Sequence, residues 1–239
     1  MTPPLLDPPV PALALDSITR RFGRRWALRG VTAHVAAGEV VGVEGHNGSG
    51  KSTLLRIAAT AIKPTSGTVR IRGQSVADAP ERARGQVALL SFQPGLYDDL
   101  TARENLVFAS EMLDLPRPDI EGTLDRVGLL READERVRNF SSGMQRRLSP
   151  GRLILQAPRV LLLDEPYNSF DRDGVQLVNE IVREVRDSGG CALIVLHDRH
   201  SARGVLDRVM RLRQGLVMDS DRDDARGPGA VAEAVEATA

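Results

Sequence analysis

Gly45-His46-Asn47-Gly48-Ser49-Gly50-Lys51-Ser52 decides the reading of this chain. Two glycines five positions apart, followed by Lys and Ser, form a phosphate-loop pattern, and the apolar run Val40 to Val43 just before it supplies the strand that such a loop leaves. Glycines there let successive backbone N–H groups turn inward around phosphate oxygens. A helix beginning near Lys51 adds the positive end of its dipole, and the lysine reaches the outer phosphates. Ser52 carries a hydroxyl suited to a magnesium ion. The stretch therefore predicts a strand, a loop and a helix in an α/β domain, with Gly45, Asn47, Gly48, Ser49, Gly50, Lys51, Ser52 and Thr53 around a polyphosphate.

Working outward, Val87 to Ser91, Val160 to Leu163 and Cys191 to Leu196 are near-continuous apolar runs, as expected of parallel strands covered on both faces. Alternating stretches at Leu13 to Thr19, Val31 to Val35 and Thr68 to Arg72 predict an antiparallel flank. Asp171 to Asp187 sets Val175, Val178, Ile181, Val182 and Val185 on one helical face. Between Pro94 and Asn139 the pattern is helical over Thr101 to Leu113 and Asp119 to Val127, with Pro116 and Pro118 between them and no strand. The expected fold class is α/β: a P-loop NTPase core with a mostly parallel sheet, an antiparallel β flank and a helical subdomain insertion. The expected boundaries are a Pro-rich arm over 1–11, a nucleotide-binding core over 12–93 and 141–218, a helical subdomain over 94–140 and a disordered tail over 219–239.

Composition sets limits. The 239 residues are 41% apolar, enough for a substantial core, and 32 Lys and Arg balance 32 Asp and Glu, which excludes a general basic surface for nucleic acid. A single cysteine, Cys191, excludes an intrachain disulfide and a cysteine-built zinc site. The longest apolar run is Cys191 to Leu196, against the roughly 20 residues a membrane-spanning helix needs. The first eleven residues, rich in proline, do not read as a secretion signal.

Val160-Leu161-Leu162-Leu163-Asp164-Glu165 is an apolar strand ending in two acids, and the carboxyl ends of parallel strands face the ligand crevice. Asp164 is suited to hold magnesium, usually through water, and Glu165 to polarise the water that attacks the terminal phosphorus. By itself such an ending also serves an ordinary solvated turn.

Asn139-Phe140-Ser141-Ser142-Gly143-Met144-Gln145-Arg146-Arg147 resembles the signature of the ATP-binding cassette (ABC) ATPases that power membrane transporters, usually written LSGGQ. Ser141 and the N–H groups after it cap a helix and present donors to an anion, although an N-cap alone explains as much. The order makes the set specific: phosphate loop, Gln93, signature, Asp164 with Glu165, then His197, over roughly Leu13 to Met218. The resemblance implies ATP and Mg2+ as ligands. It implies that Gln93 contacts magnesium and the attacking water, that His197 senses the terminal phosphate, and that Ser141, Ser142 and Gly143 close over the phosphate loop of a second cassette. Asp171, in Ser169-Phe170-Asp171, falls where the family places the loop that crosses to the partner, and it also reads as a helix cap. Phe22 or Trp26 would stack on adenine.

It further implies a head-to-tail homodimer or a pair with a paralogous cassette, and separate integral membrane permease subunits docked in a groove near Gln93 and the helical insertion. No direct nucleic-acid contact is expected, and the location is cytoplasmic, peripheral on the inner face of the cell membrane. Leu96 and Tyr97 are either docking contacts or inward-packed residues. Ser142 and Met144 depart from the commonest signature, and His46 and Glu44 are less usual around the phosphate loop. Ser149-Pro150-Gly151 interrupts a helix, where interior proline costs about 3 kcal/mol and glycine about 1 kcal/mol, so a kink is expected near Arg146 to Pro150. Gly95 to Leu106 resembles export-type cassettes, including the haem-exporter subunits of cytochrome c maturation; multidrug and lipid exporters share the segment. A soluble cassette ATPase acting on DNA or ribosomes would bring tandem cassettes or a basic surplus, and a non-hydrolysing regulator would not need Lys51, Asp164, Glu165 and His197 together.

Overall fold

A computed structural model describes residues 10–91, 95–168, 170–197, 200–202 and 204–222. The chain opens with a hairpin of β1 (Leu13–Phe22) and β2 (Arg25–Val35), then β3 (Val40–Glu44), α1 (Lys51–Ala58), β4 (Ser66–Ile71), β5 (Gln74–Ser75), α2 (Pro80–Gln86) and β6 (Val87–Leu90). Helices α3 (Ala102–Met112), α4 (Ile120–Arg126), α5 (Ser142–Leu148) and α6 (Gly151–Gln156) follow, before β7 (Val160–Asp164), α7 (Arg172–Asp187), β8 (Cys191–Val195), β9 (Arg208–Arg213) and β10 (Leu216–Arg222).

Two sheets result. The six-stranded sheet runs β10-β9-β3-β8-β7-β6, and every pairing from β9 to β6 is parallel. Its inner strands are the continuous apolar runs: Val40, Val43, Leu161 to Leu163 and Ala192 to Val195 are almost fully buried because both faces are covered. One face packs with α1 against the antiparallel sheet β2-β1-β4-β5. The other packs against α7 through Val178, Ile181, Val182 and Val185, while Val175 is only half-buried. A third cluster, with Leu106, Leu124, Val137, Phe140 and Leu148, belongs to the inserted helices. Arg126 of α4 ties that insertion to the core by pairing with both carboxylate oxygens of Glu184 on α7, at 2.8 and 3.3 Å.

The chain breaks between α5 and α6. Ser149 still donates to the Gln145 carbonyl at 3.2 Å, but Pro150 has no N–H to continue the ladder, and α6 restarts at Gly151. Gly151 is there for packing: a side chain would start 2.9 Å from Leu106 Cδ2 on α3 and 3.4 Å from Thr123 Cγ2 on α4. Leu96 packs inward against the helical cluster, whereas Tyr97 is exposed.

One expectation needs correcting. The tail predicted over 219–239 does not begin at Asp219, because β10 continues through Arg222, paired with Arg208 of β9. An edge strand is held by backbone hydrogen bonds and tolerates the polar side chains that composition read as unpacked. Residues 1–9 of the arm and 223–239 of the tail lie outside the described residues.

Candidate active site

The phosphate loop leaves the end of β3 and is wedged between two backbones. Gly215, in the β9–β10 turn, donates to the Ser49 carbonyl at 2.9 Å and accepts from Arg29 of β2 at 2.8 Å. Ser49 is fully buried. Gly50 caps α1 at φ 110°, and a side chain there would start 2.6 Å from the Ala27 carbonyl oxygen and 2.8 Å from Leu28 Cδ2. On Gly45 it would run into the Leu212 carbonyl. These glycines are required by close approach as much as by dihedral angle. Lys51 is only 5% exposed; its Nζ donates to the Gly45 carbonyl at 2.7 Å and the His46 carbonyl at 3.4 Å. Its charge acts on the Asp164 carboxyl without an ion pair, and among the described residues its hydrogen bonds go to these two loop carbonyls. That arrangement fits a polyphosphate.

The acids arrive from the neighbouring strands. Ser52 Oγ donates to Asp164 Oδ1 at 3.1 Å, joining α1 to the end of β7. Burial raises the Asp164 carboxyl above its ordinary range, with the Ser52 hydrogen bond opposing and the nearby Glu165 charge adding to the rise. A dication beside Ser52 and Asp164 would restore what burial takes away. Among the described residues no three His, Cys, Asp or Glu side chains cluster to form a metal cage. Two hard oxygen ligands fit magnesium, which keeps several waters and binds through one or two protein groups plus phosphate.

Glu165 does not continue the strand. Its φ of 54° is left-handed, a conformation that costs of order 1 kcal/mol for a non-glycine residue. The turn places its Oε1 2.9 Å from His197 Nε2, at the end of β8, and its Oε2 accepts from Asn168 Nδ2 at 3.1 Å. Asn168 was not singled out by motif; its signal is its place three residues after Glu165 in a single 3-10 turn, Pro166–Asn168.

The β1–β2 hairpin forms the outer wall of the cleft. Phe22 pairs with Arg25 and Arg21 with Trp26, and directly opposite residues share a face. Phe22, Arg25 and Ala27 accordingly line a cleft of about 420 Å3 with Asn47, Gly48, Gly50, Lys51, Ser52, Thr53 and Glu165. Trp26 is not in its lining and stacks under Arg21 instead, 5.6 Å from guanidinium carbon to ring centre. The two aromatics thus differ in place: Phe22, whose ring carries Arg20 at 4.5 Å and remains 49% exposed, lines the cleft and Trp26 does not.

Ser141, Ser142 and Gly143 are not brought to this cleft. They lie exposed at the start of α5, where Ser141 Oγ accepts from the Met144 N–H at 3.2 Å. Asp171 meets the other end of α5: it caps α7 by accepting from Gly174 N–H at 2.9 Å and pairs with Arg147 in the last turn of α5. The Arg147 guanidinium, then the Gly174 N–H, holds the Asp171 carboxyl below its ordinary range. Gln93 lies outside the described residues.

Comparison with known proteins follows the same lines. A family model for ABC transporters matches residues 28–168. The uncharacterized ABC transporter ATP-binding protein YdbJ of Bacillus subtilis is 32% identical over 209 residues, covering 87% of this chain and 68% of that protein. The cytochrome c biogenesis ATP-binding export protein CcmA of Nitrosococcus oceani is 33% identical over 193 residues, covering 81% and 89%. Among solved structures, the dimeric post-hydrolysis state of the ATP-binding cassette MJ0796, bound to ADP and Pi, superposes with a TM-score of 0.76 at 26% identity, covering 90% of this chain and 99% of that one.

Proposed function

This chain belongs to the ABC transporter ATPase family, and from that premise we propose how its own residues hydrolyse ATP and what the hydrolysis drives. The observation that carries the reading is the convergence of Lys51, the Ser52–Asp164 pair and the Glu165–His197 pair at the carboxyl ends of the interior strands β3, β7 and β8. Ser52 and Asp164 would hold magnesium, which would supply positive charge to the phosphate oxygens. Lys51 exchanges its loop carbonyls for the outer phosphates, and the Phe22 ring stacks on adenine. Glu165 orients a water and takes its proton as the water oxygen bonds the terminal phosphorus and the bond to the ADP oxygen breaks. His197 and Asn168 hold the Glu165 carboxylate from two sides, and His197 reaches the terminal phosphate. Gln93 is assigned to the metal and the attacking water by its place in the motif order.

Each site is completed by a second cassette. Ser141, Ser142 and Gly143 present free donors at an exposed helix start, which suits them to a partner's terminal phosphate, and Arg147 ties Asp171 to the last turn of the same helix. The cassette MJ0796, with which this chain shares its fold, is dimeric in its ADP and Pi state. ATP bridges the two faces and hydrolysis removes the bridge, a two-state switch coupled to transport. Membership of the family makes separate permease subunits the proposed partners and the inner membrane face the proposed location; none of the described helices is long and apolar enough to cross a membrane. Their dock is a groove of about 330 Å3 between β6, α3 and α6, where Tyr97, 54% exposed, meets Phe108 edge-on at 4.9 Å beside Met112.

The proposed direction is export and the proposed cargo haem, supported by the likeness to CcmA. YdbJ is as similar over more of the chain, so a phenotype has to discriminate: deleting the gene abolishes haem-dependent cytochrome c assembly under the haem reading and spares it under a multidrug or lipid reading. The activity is tested by phosphate release from ATP and Mg2+. The wild-type chain turns over, Lys51→Ala loses at least about 100-fold, and equal rates for the two would sink the assignment.

A further inference from the structure

The cleft contains a cation that the phosphate-loop pattern does not foresee. Arg25, the first residue of β2, lines it together with Lys51. Its Nη2 lies 3.3 Å from the point where a side chain on Gly48 would begin, so the guanidinium sits directly over the phosphate loop. The neighbouring arginines of the hairpin are occupied. Arg20 donates to the Lys63 carbonyl at 3.0 Å and stacks on Phe22, and Arg21 donates to the Gly23 carbonyl at 2.6 Å and stacks on Trp26. Arg25 has neither a hydrogen-bond nor an ion-pair partner among the described residues. Hairpin register fixes its direction: it faces Phe22 across the ladder, and Phe22 lines the same cleft.

We propose that Arg25 is a specificity-determining residue for the nucleotide, binding the phosphate chain beyond the α-phosphate from above the phosphate loop. This rests on the reading of the cleft as the ATP site and adds a residue to it. The planar fork offers two parallel donors to phosphate oxygens, which an ammonium cannot reproduce. Because Arg25 and Lys51 belong to the same polypeptide, the contact forms in a single cassette, before any partner closes. It therefore sets affinity for nucleoside tri- and diphosphates over monophosphates, and it is indifferent to the base.

The test is equilibrium binding of ATP, ADP and, by competition, AMP to the full-length chain and its Arg25→Gln and Arg25→Lys variants, at two salt concentrations. Arg25 is exposed, so the variants fold, which an unchanged melting temperature verifies. Arg25→Gln is expected to weaken ATP and ADP about tenfold, to leave AMP within about twofold and to flatten the salt dependence, with Arg25→Lys intermediate. In hydrolysis assays the KM for ATP of Arg25→Gln is expected to rise about tenfold, in step with the loss of affinity. Unchanged ATP affinity in Arg25→Gln overturns the proposal, as does an equal loss for AMP, which would assign the side chain to the nucleoside. A wild-type chain that binds no ATP overturns the nucleotide reading itself and this inference with it.

Discussion

Replacing Gly50 with alanine tests the geometry on which the phosphate loop depends. The residue sits at φ 110°, and a methyl group would start 2.6 Å from the Ala27 carbonyl oxygen and 2.8 Å from Leu28 Cδ2. The carbonyl belongs to β2, a strand held by its pairing with β1, so the backbone cannot retreat cheaply. Backbone strain of this kind costs about 1–3 kcal/mol and overpacking a further 1–3 kcal/mol, so a loss of roughly 3 kcal/mol is expected. For a chain of this size each kcal/mol moves the melting temperature by about 2–4 °C, which gives a fall of about 6–12 °C. Gly85 is the control: it lies in α2 with nothing within 4 Å of a new methyl group, and Gly85→Ala should stabilise by about 0.5–1 kcal/mol. Differential scanning calorimetry of the two variants, paired with ATP titrations, measures both effects. A Gly50→Ala protein melting within about 2 °C of wild type and still binding ATP would refute the wedge between loop and hairpin.

Asp171 gives a pH test. Its carboxyl is held below the ordinary value of 3.8 in the folded chain by Arg147, so its contribution is complete above that value and is lost as the pH falls through the lower folded pKa. Asp171→Asn keeps an N-cap but not the charge, so urea titrations should find it less stable than wild type near pH 7, with the gap narrowing as the pH falls below 3.8; a pH-independent gap would show that the ion pair contributes nothing. Cys191 supplies a folding reporter: burial pushes its thiol up to about 12, so thiol reagents at about pH 8 should leave the native chain unmodified and label it once denatured. Stoichiometric labelling of the native chain would contradict its burial in β8.

The sequence is most legible where one physical requirement dominates. Val160 to Leu163 and Cys191 to Leu196 read as buried strands because both faces of a parallel sheet exclude water, and Asp164 follows from where such a strand ends. Composition misled at Asp219 to Arg222, because an edge strand is decided by backbone pairing with β9 and its side chains carry little of the signal. Spacing does not tell which of Phe22 and Trp26 faces the cleft, because they fall on opposite faces only once β1 and β2 are aligned. Arg25 was hidden for the same reason, an arginine among several near Phe22 until the hairpin aims it. Gly151 reads as a helix defect in sequence, yet it is a contact point for Leu106 and Thr123, because packing partners distant in sequence cannot be seen from the helix itself. The Asn168 contact to Glu165 likewise depends on the left-handed turn at Glu165, which no residue pattern announces.

The proposed function requires that each ATP site is shared with a second cassette, a copy of this chain or a paralogue, and that Glu165 is needed to open it. Light scattering on a gel-filtration column, with Glu165→Gln in ATP and Mg2+, measures it directly. The variant should hydrolyse ATP at least about 100-fold more slowly than wild type and elute as a dimer that reverts to monomer when ATP is replaced by ADP. A variant that hydrolyses ATP at the wild-type rate would contradict it, and one that binds ATP and remains monomeric would contradict sharing between copies of this chain.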